Sequence, residues 1–312
     1  MRKGDRTGRI TARGGALALT LAAVLVTSLP TALAHAKTTP GSTAAALKKA
    51  GWASNVKATF PDGTLRFRSN GVPKRGVLSQ YAVPNPGIIV PNASNSHVAP
   101  SSEVVKQQSY DIRITTTPKK AKKPTSIAAG PIGVMISGAL VFNPYEGDGT
   151  TVAMASNFTL KDSQGRDVPF LDACNGHPSP GAAFAYHYHG LPPCVTATVD
   201  KKNGPSHIIG VAFDGFPIYG DRDVHGKQLE AKHLDKCNGI TSPTPEFPQG
   251  IYHYVLLNVA SAKSSPACFA GVLPSVPTKV FRNASARGAS FSCWLATKPD
   301  RPKTSLRAIR VR

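Results

Sequence analysis

The chain has 312 residues and a formal net charge of +20, with 37 lysines and arginines against 17 aspartates and glutamates. A charge this large favours acidic partners or surfaces. The basic residues are not interleaved with aromatic ones and form no helix-turn-helix pattern, which argues against nucleic-acid binding.

The first 36 residues predict an export signal. A basic start from Arg2 to Arg13 precedes the apolar run Ala16–Leu29, and the small residues at 34–36 predict a cleavage site. This segment accounts for +4 of the charge and leaves +16 for the mature chain. No other run is long enough to cross a membrane. We therefore expect a secreted or extracytoplasmic protein without a transmembrane segment, and a retained anchor is the weaker alternative.

The rest of the chain divides by composition into three parts. They are a small, polar linker at 37–51, a domain at 52–271 and a basic C-terminal extension at 272–312. The one helix expected after the signal lies around Ser42–Ala50. With 28 glycines, 27 prolines and little helical periodicity, the domain is predicted to be mainly β, sandwich-like and rich in ordered loops.

Short apolar runs broken by turn residues predict the strands. Alternation on both sides of Asp62-Gly63 predicts a hairpin over residues 57–68. The other predicted strands are Tyr110–Thr115, Gly133–Ile136, Ala139–Phe142, Val195–Val199, His207–Phe213 and Ile251–Val259.

The segment Ala185–Gly190 carries the most specific pattern. Side chains alternate between the two faces of a strand, so His187 and His189 are predicted on one face and Tyr186 and Tyr188 on the other. Two imidazoles spaced in this way can chelate one metal ion.

Related motifs surround this segment. Asp172 to Pro178 reads Asp-Ala-Cys-Asn-Gly-His-Pro, and Tyr252-His253-Tyr254 follows later. Cys-Asn-Gly occurs at 174–176 and again at 237–239, which indicates two equivalent disulfide-anchored turns more than two active sites.

The order Asp-x-Cys-Asn-Gly-His-Pro, Tyr-His-Tyr-His-Gly, Cys resembles the YHYH domain family. Further similar blocks run in the expected order from about residue 52 to 271, among them Arg68–Pro73, Gly130–Ile136, Phe142–Pro144, Gly210–Gly220, Leu234–Gly239 and Cys268–Gly271. The resemblance implies a domain type and no particular reaction. The family often has a second histidine after its last Tyr-His-Tyr, where this chain has Val255.

Five cysteines in an exported chain indicate two disulfides and one free thiol. We predict Cys174 with Cys194 and Cys237 with Cys268, because each pair encloses a His-Tyr motif, and Cys293 free. A four-cysteine zinc site is disfavoured because the chain has no Cys-x-x-Cys pair.

The histidines predict a zinc or copper site. The predicted ligands are His187, His189, His177 and His253. The side chains expected to orient these ligands or join them are Asp172, Asp214, Tyr186 and Tyr188. For Asp214, which precedes Gly215, a plain turn role is the stronger interpretation. The alternative for the whole cluster is a hydrogen-bonded polar core without metal.

Three functions stay open at this stage. The protein binds a metal, or it is a metal-dependent extracellular hydrolase or oxidase, or it adheres to anionic cell-envelope polymers and its histidines are structural. The chain has no Gly-x-Ser-x-Gly, no His-Glu-x-x-His and no glycine-rich phosphate loop. The sequence alone does not decide whether it is an enzyme.

Overall fold

The computed structural model describes residues 40–127, 129–179 and 184–273. The chain divides into the units Met1–His35 and Ala36–Arg312, and every described residue belongs to the second. The predicted export signal, Cys293 and almost all of the predicted basic extension lie outside the described residues. No helix within the described ranges is long and apolar enough to cross a membrane.

The described elements are short and mostly extended. The helices are α1 (Pro40–Lys49), α2 (Ser101–Val104) and α3 (Pro193–Thr196), with 3-10 turns at Ala153–Ala155 and Ala231–His233. The strands are β1 (Val56–Thr59), β2 (Thr64–Ser69), β3 (Gln80–Pro84), β4 (Ser96–Pro100), β5 (Tyr110–Thr115), β6 (Lys120–Ser126), β7 (Pro131–Met135), β8 (Leu140–Phe142), β9 (Thr159–Lys161), β10 (Asp167–Pro169), β11 (Gly176–Pro178), β12 (Tyr186–Tyr188), β13 (Ile208–Ala212), β14 (Pro217–Tyr219), β15 (Gly239–Thr244), β16 (Phe247–Val255) and β17 (Cys268–Gly271).

The prediction of a mainly β, sandwich-like fold is confirmed. An eight-stranded sheet has the order β11-β12-β8-β7-β13-β14-β16-β15, and a three-stranded sheet has the order β1-β2-β5. Alternate residues of the smaller sheet, Leu65 and Phe67 on β2 and Ile112 and Ile114 on β5, are buried in one core with the central strands of the larger sheet. Burial of one face is what the alternating apolar pattern of β2 and β5 requires, whereas every residue of the central strands β7 and β13 of the larger sheet is buried.

The hairpin predicted around Asp62-Gly63 is present as antiparallel β1 and β2. Asp62 and Gly63 have φ of 49° and 69°, and the Thr64 N–H donates to the Pro61 carbonyl at 2.9 Å. Positive φ at both central residues is the type I′ geometry that matches the twist of a hairpin.

The helix expected around Ser42–Ala50 is also confirmed, as α1. The strand predicted at Val195–Val199 is wrong, because α3 and hydrogen-bonded turns occupy this segment. Pro193 stands at the first helical position, where proline's fixed φ favours a helix. Of the apolar alternation that suggested a strand, only Val195 is buried.

The eight-stranded sheet is internally duplicated about its centre. The central strands β7 and β13 pair symmetrically, with Val134 opposite Val211. On either side of this pair, the glycine of each strand lies opposite the last residue of the other strand: Gly133 opposite Ala212, and Gly210 opposite Met135. From this centre outward, each half repeats the same four strands in the same directions, so that β7, β8, β12 and β11 correspond to β13, β14, β16 and β15. The two His-Tyr motifs therefore occupy equivalent strands, β12 and β16.

Candidate metal centre

The strand β11, which carries His177, is preceded by a turn that the carboxylate of Asp172 holds in place. Asp172 Oδ1 accepts hydrogen bonds from the N–H groups of Cys174 and Gly176 at 2.8 and 3.1 Å. Asn175 between them has a φ of 58°, a left-handed conformation that asparagine tolerates better than most residues. The turn leads directly into β11 and its His177.

The predicted disulfide Cys174–Cys194 holds the same turn. It joins residues 20 positions apart, and the second predicted disulfide, Cys237–Cys268, joins residues 31 apart. Both pairings are confirmed. Each links the Cys-Asn-Gly turn of its half to the segment that follows the His-Tyr strand.

Three histidines meet on one face of the paired strands β11 and β12. His177 lies opposite His187 in the antiparallel register, and the Nε2 atoms of His187 and His189 are 3.0 Å apart. One ring nitrogen from each of the three lies within 4.8 Å of the others. The alternation of Tyr-His-Tyr-His along a strand thus produces the expected face of imidazoles.

Backbone carbonyls fix the tautomers of two of these rings. His187 Nδ1 lies 3.0 Å from the Ala185 carbonyl oxygen and His189 Nδ1 lies 2.8 Å from that of Asn143. A carbonyl oxygen can only accept, so each Nδ1 carries the proton and donates it. The Nε2 atom of each neutral ring therefore presents a lone pair, which is the form that binds a metal ion.

The rings are neutral at physiological pH because they are buried. His177, His187 and His189 are only 2 to 3% exposed. Burial lowers the pKa of His189 to about 4 and that of His187 well below its usual range. Loss of hydration disfavours the charged imidazolium in each case.

Both ring nitrogens of His177 are buried and form no hydrogen bond of normal geometry among the described residues; the backbone of Pro178 is the one group that favours a proton on the ring, and it has the smallest influence on its pKa. A buried polar group without a partner costs about 1–3 kcal/mol. A cation between His177, His187 and His189 would accept a ligand bond from one of the ring nitrogens of His177.

Aromatic rings enclose the cluster. Phe142 stacks on His187 with centroids 3.9 Å apart, and Phe170 lies 4.3 Å from His177. Phe142, Phe170 and Asn143 were not among the predicted site residues. The motif block Phe142–Pro144 was visible in the sequence, but a role carried by a backbone carbonyl has no side-chain signature.

The predicted tyrosines and Asp172 lie away from the imidazoles. The hydroxyls of Tyr186 and Tyr81 each donate to Asp172 Oδ2 at 2.7 Å, and the Tyr188 hydroxyl donates to Ser137 Oγ at 3.2 Å. Burial raises the pKa of Asp172, against the lowering effect of its hydroxyl and amide donors. The expectation that Asp172 orients an imidazole is not met, because the carbonyls of Ala185 and Asn143 do so.

His253 and Asp214 belong to the other half of the sheet. Five strand-to-strand steps separate β12 from β16, about 24 Å at the usual spacing of about 4.8 Å. His253 therefore does not supply a fourth ligand to the cluster. Asp214 accepts hydrogen bonds from the Tyr254 hydroxyl and the Gly271 N–H and lies in a turn with positive φ at Gly215.

The second half repeats the scaffold without the ligands. Asp235 binds the N–H groups of Cys237 and Gly239 as Asp172 does in the first half. At the positions of His177 and His189, however, it has Ile240 and Val255. The prediction that the repeated Cys-Asn-Gly marks equivalent turns is confirmed, and within the described residues only the first half gathers three imidazoles.

The family model described as "YHYH protein" matches residues 111–228 and 223–271, which together cover more than half of the chain. The chain belongs to the YHYH family. The match contains the whole eight-stranded sheet and both disulfides, while β1 to β4 lie before it, so the resemblance noted from about residue 52 extends beyond the matched residues. No curated protein and no solved structure matches the chain.

Proposed function

We propose that this YHYH protein is an exported metal-binding protein whose ligands are His177, His187 and His189. The observation that carries the proposal is the pair of Nε2 atoms 3.0 Å apart, each on a ring whose Nδ1 donates to a carbonyl. Two lone pairs at this distance repel each other unless a cation lies between them. In a tetrahedral zinc site with Zn–N bonds of 2.0–2.1 Å, neighbouring ligand nitrogens are about 3.3 Å apart.

Zinc or copper fits these ligands best. Neutral imidazole is a ligand for both metals, whereas magnesium and calcium require oxygen ligands. Three histidines also leave one position open in a tetrahedral shell. The burial of all three rings under Phe142 and Phe170 favours retention of a metal over turnover of a large substrate.

Export is supported by two independent features. The first 36 residues have the basic, apolar and small-residue sections of a signal peptide, and disulfides such as Cys174–Cys194 persist mainly in oxidising compartments. Expression of the full chain with N-terminal sequencing of the exported product tests this part. Recovery of uncleaved protein in the cytoplasm would contradict it.

The metal content of the purified protein tests the central claim. After incubation with zinc or copper and removal of free metal, mass spectrometry should find one ion per chain. His187→Ala and His189→Ala should each lose stoichiometric binding, since loss of one of three ligands removes most of the affinity of a small site. A wild-type protein that takes up neither metal would contradict the proposal.

Two further variants separate loss of a ligand from loss of the fold. His177→Phe keeps an aromatic ring beside Phe170 and should remain folded, yet lose the metal. His253→Ala, at the position equivalent to His187 in the other half, should keep one ion per chain. A metal-free His253→Ala protein with normal circular dichroism would overturn the assignment of the ligands.

A second candidate function is adhesion to anionic cell-envelope polymers through β6. Lys119, Lys120, Lys122 and Lys123 are exposed, and none of them forms an ion pair with a carboxylate of the described residues. Lys120 lies 3.9 Å above the ring of Tyr252. Such a run of cations without carboxylate partners, at the start of one strand, attracts a polyanion.

Retention on immobilised polyphosphate at increasing salt tests this candidate. Replacement of Lys119 and the three β6 lysines by glutamine should lower the salt concentration that elutes the protein. The control replaces Lys48, Lys49, Lys201 and Lys202, which removes the same charge elsewhere. Equal shifts for the two variants would show that net charge, and not β6, determines retention.

A further inference from the structure

A cavity of about 230 Å³ lies beside the turn between β7 and β8, among the loop after α1, residues 73–75 and α3. Its wall includes the buried side chains of Ile136 and Val195 and the disulfide-bonded Cys194. The cavity also includes Ser137, which accepts the hydrogen bond of Tyr188. It is therefore on the tyrosine side of the strand whose other face carries the histidines.

The charged groups that line this cavity are all basic. Lys74 and Arg75 are exposed at its edge, and neither forms an ion pair with a carboxylate of the described residues. Gly76, which follows them, has a φ of 93° and packs its backbone so closely on Cys174 that a Cβ would collide with the sulfur. The disulfide thus holds the backbone of the segment that carries the two cations.

Comparison of the two halves of the sheet shows a negative charge in the second half that has no counterpart beside Ser137 in the first. Ser137 and Asp214 occupy equivalent turns. Each precedes a glycine of positive φ, which is Gly138 in the first half and Gly215 in the second. Each also accepts a hydrogen bond from the second tyrosine of its His-Tyr strand, Tyr188 or Tyr254. In the second half the carboxylate of Asp214 also accepts the Gly271 N–H. In the first half a neutral hydroxyl stands at this position, and a cavity with two cations lies next to it.

We propose that this cavity binds a small organic anion with an apolar body, a carboxylate or a phosphate monoester. The anionic group lies between the Ser137 hydroxyl and the side chains of Lys74 and Arg75, where it supplies the charge that Asp214 supplies in the other half. Because Ser137 already accepts from Tyr188, its own proton is free to donate to the ligand. The apolar body contacts Ile136, Val195 and the disulfide.

The volume limits the ligand. Known pockets for drug-sized molecules measure about 300–1,000 Å³, and this cavity is smaller. At the packing density of protein interiors it accommodates on the order of ten non-hydrogen atoms. Benzoate and phenyl phosphate have this size and differ only in the anionic group.

The proposal is tested by titrating the purified protein with these two probes and monitoring the chemical shifts of its backbone amides. We expect at least one of them to bind and to shift the amides of residues 51–54, 73–75, 136–137 and 194–198. Benzyl alcohol, which has the same apolar body and no charge, should bind at least tenfold more weakly. The stronger of the two anions identifies the group that is recognised. Equal affinity for benzyl alcohol, or shifts confined to other residues, would overturn the proposal.

Substitutions test the same point from the side of the protein. Ser137→Asp places the carboxylate of the second half into the first and should abolish binding of the anion, whereas Ser137→Ala should only weaken it. Lys74→Glu with Arg75→Glu should weaken binding about tenfold or more, and Lys201→Glu with Lys202→Glu should leave it unchanged. Measurement in the presence of a chelator excludes binding of the anion to a metal. Unchanged affinity in a folded Ser137→Asp protein would refute the assigned position of the anion.

Discussion

The fixed tautomer of a buried histidine is a property of this scaffold and does not by itself indicate a metal. His253 Nδ1 lies 3.0 Å from the Ile251 carbonyl oxygen, as His187 Nδ1 lies from that of Ala185. In both rings Nδ1 therefore carries a proton, and the same local backbone geometry directs the ring. What distinguishes the first half is that two further imidazoles surround the Nε2 atom of His187.

Burial of neutral histidine predicts that the metal-free protein loses stability in acid. Burial lowers the pKa of His253 to about 4, against about 6.5 in an unfolded chain. Between these values the unfolded state binds more protons than the folded state. The contribution of His253 to the free energy of unfolding is therefore fully present above pH 6.5 and is lost as the pH drops towards 4. This one residue accounts for a loss of about 3 kcal/mol.

Urea unfolding at a series of pH values measures this effect. His253→Asn keeps an N–H that can donate to the Ile251 carbonyl but does not titrate, so the fall in stability between pH 6.5 and 4 should be smaller than in the wild type. Replacement of the exposed His225 by asparagine serves as the control. Identical pH dependence in the wild type and in His253→Asn would show that His253 is not the source.

The tyrosine–carboxylate pairs give a second prediction at the scale of residues. Tyr186 donates to buried Asp172, whereas Tyr252 donates to Asp235, which is exposed. A buried carboxylate that loses one of its donors cannot replace it with water, while an exposed one recovers a hydrogen bond from water. Tyr186→Phe should therefore lower the free energy of unfolding by about 2 kcal/mol, and Tyr252→Phe by less than about 1 kcal/mol.

Chemical denaturation of the two variants provides this comparison, and the metal content of Tyr186→Phe should stay at one ion per chain. Equal losses for the two variants would mean that the burial of Asp172 contributes nothing. Loss of the metal from Tyr186→Phe would show that the two faces of β12 are coupled.

The alternation of apolar and polar residues predicts a strand only when that strand buries one of its faces. Residues 110–114 of β5 alternate between buried and exposed positions, and this strand was predicted with its correct bounds. β6 has four exposed residues out of seven and only intermediate burial at the others, so it has no apolar alternation to detect. Its position depends on β17, its partner, whose residue Gly271 binds Asp214 from a distant part of the chain.

The disulfides were predictable because each pair encloses a motif, and they should differ in their effect on the metal. Each encloses a loop of 20 or 31 residues and should contribute about 3 kcal/mol by restricting the unfolded chain. Only Cys174–Cys194 anchors the turn that leads into His177. Its replacement by alanines should lower metal affinity as well as stability, whereas replacement of Cys237–Cys268 should lower stability alone.

Denaturation and metal titration of the two double variants test this difference. An equal loss of metal affinity in both would indicate that the disulfides act through global stability. No loss in the Cys174→Ala, Cys194→Ala protein would show that the Asp172 turn positions His177 without the covalent link.

At the scale of the molecule, the duplication was only partly visible in the sequence. The repeated Cys-Asn-Gly predicted two equivalent turns. The central strands β7 and β13 share only the short run Ile-Gly-Val, at 132–134 and 209–211, which is too common a run to indicate a repeat by itself. Their equivalence arises from backbone pairing, which many apolar sequences satisfy. For the same reason His253 was expected beside His187, since a shared motif gives no information about the four strands that separate them.

The duplication predicts that the second half can be converted into a metal site. His253 has its Nδ1 fixed by a carbonyl, and Ile240 and Val255 stand where the first half has His177 and His189. In Ile240→His, Val255→His, three imidazoles should meet on one face of β15 and β16, and the protein should bind two ions per chain in place of one. Val255 is fully buried, so the larger ring also costs about 1–3 kcal/mol of stability through overpacking. Mass spectrometry of the metal-loaded variant measures the stoichiometry, and addition of His253→Ala should return it to one. A folded double variant that still holds a single ion would show that the shared backbone alone does not form the site, and that the enclosing rings of Phe142 and Phe170 are also needed.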